Sequence, residues 1–199
     1  MTRLTPDEEF MKIANSPEAW MRSGETLREC AEILGNLHTA SIRAALSGDT
    51  SESALRYLSG TGQVFLMLAG LAIENLAKAL LVHRKLVSVT KGSITHSDLQ
   101  AHGVETLLGR AGVKLSKEER RLIRRLDKAV EWSGRYPVPL TATTLTMQGQ
   151  HVSSLTDPEE FTTLFRRLAS ELPPRGKPHF VLNREMSFVK QDTRGPKGR

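Results

Sequence analysis

Apolar residues recur at intervals of three and four along most of this chain, the period of a helix that buries one face. Thr5-Pro6-Asp7-Glu8 opens the first such stretch, with Thr as N-cap, Pro at the first helical position and Glu at the third. Ser16-Pro17-Glu18 opens a longer one, in which Trp20, Leu27, Ala31, Leu34 and Ile42 share a face; it ends near Leu46, before Ser47-Gly48-Asp49. A third begins near Ser51 and runs to about Arg84. Gly60 and Gly62 predict a bend in it, since glycine weakens a helix interior by up to roughly 1 kcal/mol. Its middle, Val64 to Ile73, is apolar on every side, which predicts the buried centre of a bundle. That run is also too short for a bilayer span, which takes about 20 residues.

A fourth helix is expected from around Thr95 to Ser97 up to the Gly109 to Gly112 region. Ser116 and Glu119 form a capping box for a fifth, with Leu122, Leu126, Ala129 and Val130 as its stripe. Asp157 caps a sixth, Pro158 takes its first position, and Phe161, Leu164, Phe165, Leu168 and Leu172 line one side. The Thr- and Val-rich stretch between the last two helices, with Gly149 inside it, predicts a small β-hairpin. Short connections favour antiparallel neighbours. The expected fold is therefore all-α, an up-and-down helical bundle of five to six helices over residues 1–172.

Charge adds a second segment. The chain carries a net charge of +6, yet residues 173–199 hold seven cations against Glu185 and Asp192, so the globular part is nearly neutral. With its Pro-Pro, Gly-Lys-Pro and Gly-Pro-Lys-Gly runs, that segment reads as a basic, largely disordered tail. Cys30 is the only cysteine, which excludes a disulfide within the chain and suits a reducing, cytoplasmic setting. The N-terminal residues lack the apolar stretch of a signal peptide.

Candidate chemistry gathers at a few places. Glu74 closes the apolar run four residues before Lys78, in the favourable order for an ion pair; it either pairs there or anchors a polar pocket. His96 and Asp98 stand at the start of the fourth helix, where Asp98 can cap and oppose the helix dipole. Gly134 and Pro137 read as a stop signal for the fifth helix. They leave Arg135 and Tyr136 to be explained, either as a tie to Glu74, Asp98 or Glu131 or as groups facing a ligand or RNA. Arg121, Arg124, Arg125 and Lys128 fall on one face of the fifth helix as a basic stripe, diluted by nearby carboxylates; it reads as a solvated face or as a phosphate contact. Histidines 96 and 102 would point to different faces of one helix, and the others are scattered, so no metal or cofactor is expected. A phosphate-binding glycine loop, a nucleophile elbow and a Cys-x-x-Cys pair are all missing from the sequence.

The succession "AIENLAKALL", "THSDL" and "GVKLSKEERRLIRRLDKAVEWSGRYPVP" resembles bacterial members of the HEPN superfamily of helical bundles, over roughly Gln63 to Pro139. The resemblance implies a helical bundle that often dimerises through its helices. Many members are metal-independent RNases, or act beside a nucleotidyltransferase or in defence, stress or toxin–antitoxin systems. The RNase members carry Arg, four to six residues, then His; no arginine of this chain is followed by a histidine at that spacing. Glu74, His96, Asp98, Arg135 and Tyr136 then remain as a polar cluster. The expectation is a non-catalytic, homodimeric interaction or RNA- or nucleotide-binding module with no membrane association. The alternative is a metal-independent endoribonuclease with a variant Arg/His site.

Overall fold

The computed structural model describes residues 4–58, 60–133 and 153–173. It is 71% helical, with no strand among the described residues. Helix α1 spans Pro6–Ala14, and its Thr5–Glu8 capping box forms as the sequence predicts. Helix α2, Pro17–Leu46, is capped by the Ser16 side chain, which accepts from the Ala19 N–H. Short α3, Glu52–Leu55, is separated from α4, Thr61–His83, by Gly60 at φ 76°. The expected bend is thus a complete break. Gly60 stands at the N-cap of α4, five residues past the end of α3, and glycine takes a positive φ without the steric cost of a Cβ.

The expected fourth helix is also divided, into α5 (Ser97–Gln100) and α6 (Val104–Arg110). The break leaves Ala101, His102 and Gly103 outside regular helix. Helix α7, Lys117–Lys128, has the predicted Ser116–Glu119 box and runs into a π-helical turn, Ala129–Ser133. Helix α8 is Asp157–Ala169. Its N-cap position is Thr156 rather than Asp157, although the Asp157 carboxylate accepts from the Ser154 N–H at 2.7 Å, just upstream of the helix. The expected hairpin, Arg135, Tyr136 and nearly all of the basic tail lie outside the described residues.

Helix α4 is the centre. Phe65, Leu66, Ala69, Ala72, Ile73, Leu76, Ala77 and Leu80 are all essentially inaccessible, and α2, α6, α7 and α8 each pack on it. By length and composition α4 could cross a bilayer, but 72% of its most apolar window is buried inside the protein, as for a core helix. Helices α2 and α4 run antiparallel and very close. Gly24 faces Ala72 and Asn75, Gly35 faces Phe65, and a Cβ at Gly24 would stand 3.0 Å from the Ala72 carbonyl oxygen. The five apolar positions foreseen for the last helix, from Phe161 to Leu172, are all buried. Phe161 meets Phe65 edge to face with centroids 6.1 Å apart.

The link from α4 to α5 is held by Asn15, just after α1. Its carboxamide donates to the Val89 carbonyl and accepts the Val89 N–H, both at 2.7 Å, as a neighbouring strand would. This anchors the chain leading to His96 and Asp98.

Candidate functional site: a buried carboxylate cluster beside a basic helix

The ends of α4, α6 and α7 bring together the polar groups of the core. Glu74 is 4% exposed and Lys78 5%, so an apolar helix carries a charge pair inside the protein. The Lys78 ammonium donates to Glu74 Oε1 at 2.7 Å. It also lies 5.6 Å from the centre of the Trp20 ring, whose indole N–H donates to the Ala14 carbonyl. The second partner of Glu74 is His102, with Nδ1 at 3.2 Å from both carboxylate oxygens. His102 is reached because the chain leaves helical geometry between α5 and α6. On the continuous helix expected from the sequence it had no part in a site.

Asp127 adds a second, half-buried carboxylate. It accepts the Val104 N–H at 2.6 Å and the Glu105 N–H at 3.3 Å, and so caps α6 from a different helix. The residue at that cap position is Gly103, which has no side chain to offer. Burial raises the Asp127 pKa above the ordinary aspartate value; the two amides oppose that rise, while Glu105 and Glu74 add to it. No local signal marks Asp127 as a cap, because donor and acceptor are more than twenty residues apart in sequence.

His96 and Asp98 take roles other than those expected. His96 is itself the N-cap of α5, with Nδ1 accepting the Asp98 N–H at 3.2 Å. Asp98 does not cap; its buried carboxylate is engaged by the Arg110 guanidinium from the end of α6. Of the five residues proposed as a polar cluster, Glu74, His96 and Asp98 therefore all hold the fold together. Arg135 and Tyr136 lie outside the described residues.

The basic stripe is divided in the same way. Arg121, Arg124 and Lys128 are exposed. Arg125 is turned inward, its side chain 16% exposed, and pairs with the fully buried Asp157. It sits at the margin between the buried face of Leu122 and Leu126 and the solvent face, so a long side chain there can reach α8. Burial raises the Asp157 pKa above the usual aspartate value, against the lowering influence of the Ser154 N–H and Arg125. Glu105 faces the stripe from α6, 3.2 Å from Arg120 and 3.6 Å from Arg124.

One further pair was invisible in the sequence. His38 Nε2 lies 2.6 Å from Ser153 Oγ, and its Nδ1 lies 3.0 Å from the Tyr57 carbonyl. A carbonyl can only accept, so Nδ1 carries the proton and Nε2 accepts from the serine. This is the orientation of a nucleophile and its base. Both residues are less than a tenth exposed, and Gly62 packs so closely that a Cβ there would clash with each. The pair is closed to a substrate and ties α2, α4 and the start of α8 together. Among the described residues, no group of His, Cys, Asp and Glu side chains is arranged to hold a metal ion.

No family model, curated protein or solved structure matches this chain.

Proposed function

We propose that this chain is a non-catalytic, HEPN-like helical bundle that acts as a dimeric RNA-binding module, its helices arranged up and down around α4. One observation carries the reading. The Glu74, Asp98 and Asp127 carboxylates are engaged by Lys78, Arg110 and backbone amides, and Arg121, Arg124 and Lys128 of α7 stand exposed on the surface, Arg124 lying 3.6 Å from Glu105. Groups held in this way are poor acids or bases for an outside substrate. A row of exposed cations on a rigid helix suits a phosphate backbone, where each neutralised phosphate releases counterions. Arg120 extends the row, and the cations of residues 173–199 add a second, sequence-independent attraction. The resemblance to proteins that act on RNA, or beside nucleotidyltransferases in defence and stress systems, points the same way.

A mobility-shift titration of single-stranded RNA over a range of KCl tests this. The wild type and a chain ending at residue 173 should both shift RNA. Arg121→Glu/Arg124→Glu/Lys128→Glu should weaken binding at least about tenfold and flatten the salt dependence by roughly 0.7 per lost contact. Unchanged binding in the triple variant, or complete loss on removing the tail alone, would show that the bundle is not the binding element. The RNA should stay intact in EDTA. Cleavage abolished by both His96→Ala and Arg135→Ala would replace this reading with a metal-independent endoribonuclease using those residues.

A further inference from the structure

Helix α2 has two apolar faces. Its inner face, with Gly24, Ala31, Gly35 and His38, is buried on α4. On the other side Cys30, Ile33, Leu37, Ala40 and Ala44 follow one another at alternating intervals of three and four, the heptad spacing of a two-helix seam. Ile33 is 62% exposed, Cys30 and Ala40 are exposed, and Leu37 and Ala44 are half-buried. A Leu or Ile at such a position is ordinary by itself. A heptad row of apolar residues along a long, fully formed helix is a docking surface.

We infer that a second copy of this chain covers the stripe, its α2 lying antiparallel to the first. The charges along the stripe select that occupant and direction. Glu29, Asn36 and Arg43 flank it at successive heptad positions, and all are exposed. A two-fold axis beside residue 35 sets Ile33 against Leu37 of the second copy and Cys30 against its Ala40. In the same register Glu29 meets Arg43 of the second copy at both ends, and Asn36 meets its own counterpart. The layers from Cys30 to Ala40 are then apolar on both sides, Ala44 falls opposite Thr26 of the second copy, and each flanking charge faces its opposite. Parallel pairing would set Glu29 opposite Leu34 and Arg43 opposite Gly48 of the second copy, so neither charge would meet its opposite. Cysteine and alanine in two of the layers allow close approach of the helices. One helix face falls short of the roughly 800 Å² per partner of a standard interface, so the pair should separate on dilution. The inference deepens the dimer in the reading above and names its surface.

The lone cysteine provides the test. In the antiparallel register the two Cys30 residues lie ten residues apart along the helix axis, about 15 Å. A disulfide needs Cα atoms within about 7 Å. Light scattering should first find a concentration at which the wild-type mass doubles. Oxidation there with copper–phenanthroline should leave the wild type uncrosslinked on a non-reducing gel. Ala40→Cys should give a disulfide-linked dimer, which cannot arise within one chain because residues 30 and 40 of one helix are the same 15 Å apart. Cys30→Ser/Ala40→Cys should fail to crosslink, and Ile33→Asp, a surface change, should keep its helical circular dichroism and run as a monomer. A wild-type crosslink through Cys30 would mean parallel pairing and overturn the inference. Doubled mass without the Ala40→Cys crosslink would overturn the surface and leave the dimer standing. Monomeric mass at every concentration would sink both, including the case in which residues 134–152 or 174–199 cover the stripe, and would leave the RNA titration unaffected.

Discussion

Lys78 and Glu74 place two buried charges on the otherwise largely apolar central helix. A buried pair is weak evidence of stabilisation, since desolvating both ions offsets most of their attraction. Removing one of them is another matter. Glu74→Leu would leave a buried ammonium with only the Trp20 ring and no counter-ion, and should cost about 3–5 kcal/mol. Glu74→Leu/Lys78→Met removes both charges at similar volume and should recover most of that loss. Urea unfolding of the two variants, compared with wild type, checks the asymmetry. If the double variant is as unstable as the single one, then the contact with His102, and not the ion pair, is what Glu74 contributes. The i,i+4 spacing made the Glu74–Lys78 pair legible beforehand. His102 was not, because recognising it required knowing that the helix breaks at Ala101.

At the scale of elements, helix starts were the readable part. Thr5–Glu8 and Ser116–Glu119 form their boxes as the residue types dictate, since a cap needs only partners three positions apart. Breaks inside helical patterns were harder. The Ala101 to Gly103 interruption has no proline and one glycine, and α6 restarts there because Asp127 supplies the cap from α7. Close helix crossings were legible only as isolated glycines. At Gly70 a Cβ would stand 2.5 Å from Val130 Cγ2 and 3.0 Å from the Leu126 carbonyl oxygen. Gly70→Ala should therefore destabilise the protein by about 1–3 kcal/mol, despite the better helix propensity of alanine. Gly109→Ala, on an open surface with nothing within 4 Å, serves as the control and should be neutral or slightly stabilising. Thermal denaturation of the two variants separates propensity from contact: a stabilised Gly70→Ala would refute the tight crossing of α4 and α7.

At the scale of the whole molecule, α2, α6, α7 and α8 all pack against α4, so these helices have no independent core to fold around. Its amides should exchange with solvent only through global unfolding, whereas those of α1 and α3, which have few buried residues, should exchange through local opening. Native-state hydrogen exchange across a low-urea series reads this directly. An α4 that exchanges at the rate of α1 would mean that the helices do not unfold as one unit.

Composition and periodicity alone determined that the described residues are predominantly helical, where most helices begin, and that the run ending at Ile73 belongs to the central helix, although Val64 at its start is exposed. These follow from contacts within one or two helical turns and from the exclusion of apolar surface from water. Tertiary structure decided which polar residues meet. It gave His102 to Glu74, Asp127 to the start of α6, Arg110 to Asp98 and Asp157 to Arg125, and it drew one arginine out of the basic stripe. Those pairings depend on which helix faces touch and at what register, a property of the packed core that no local spacing along the chain records.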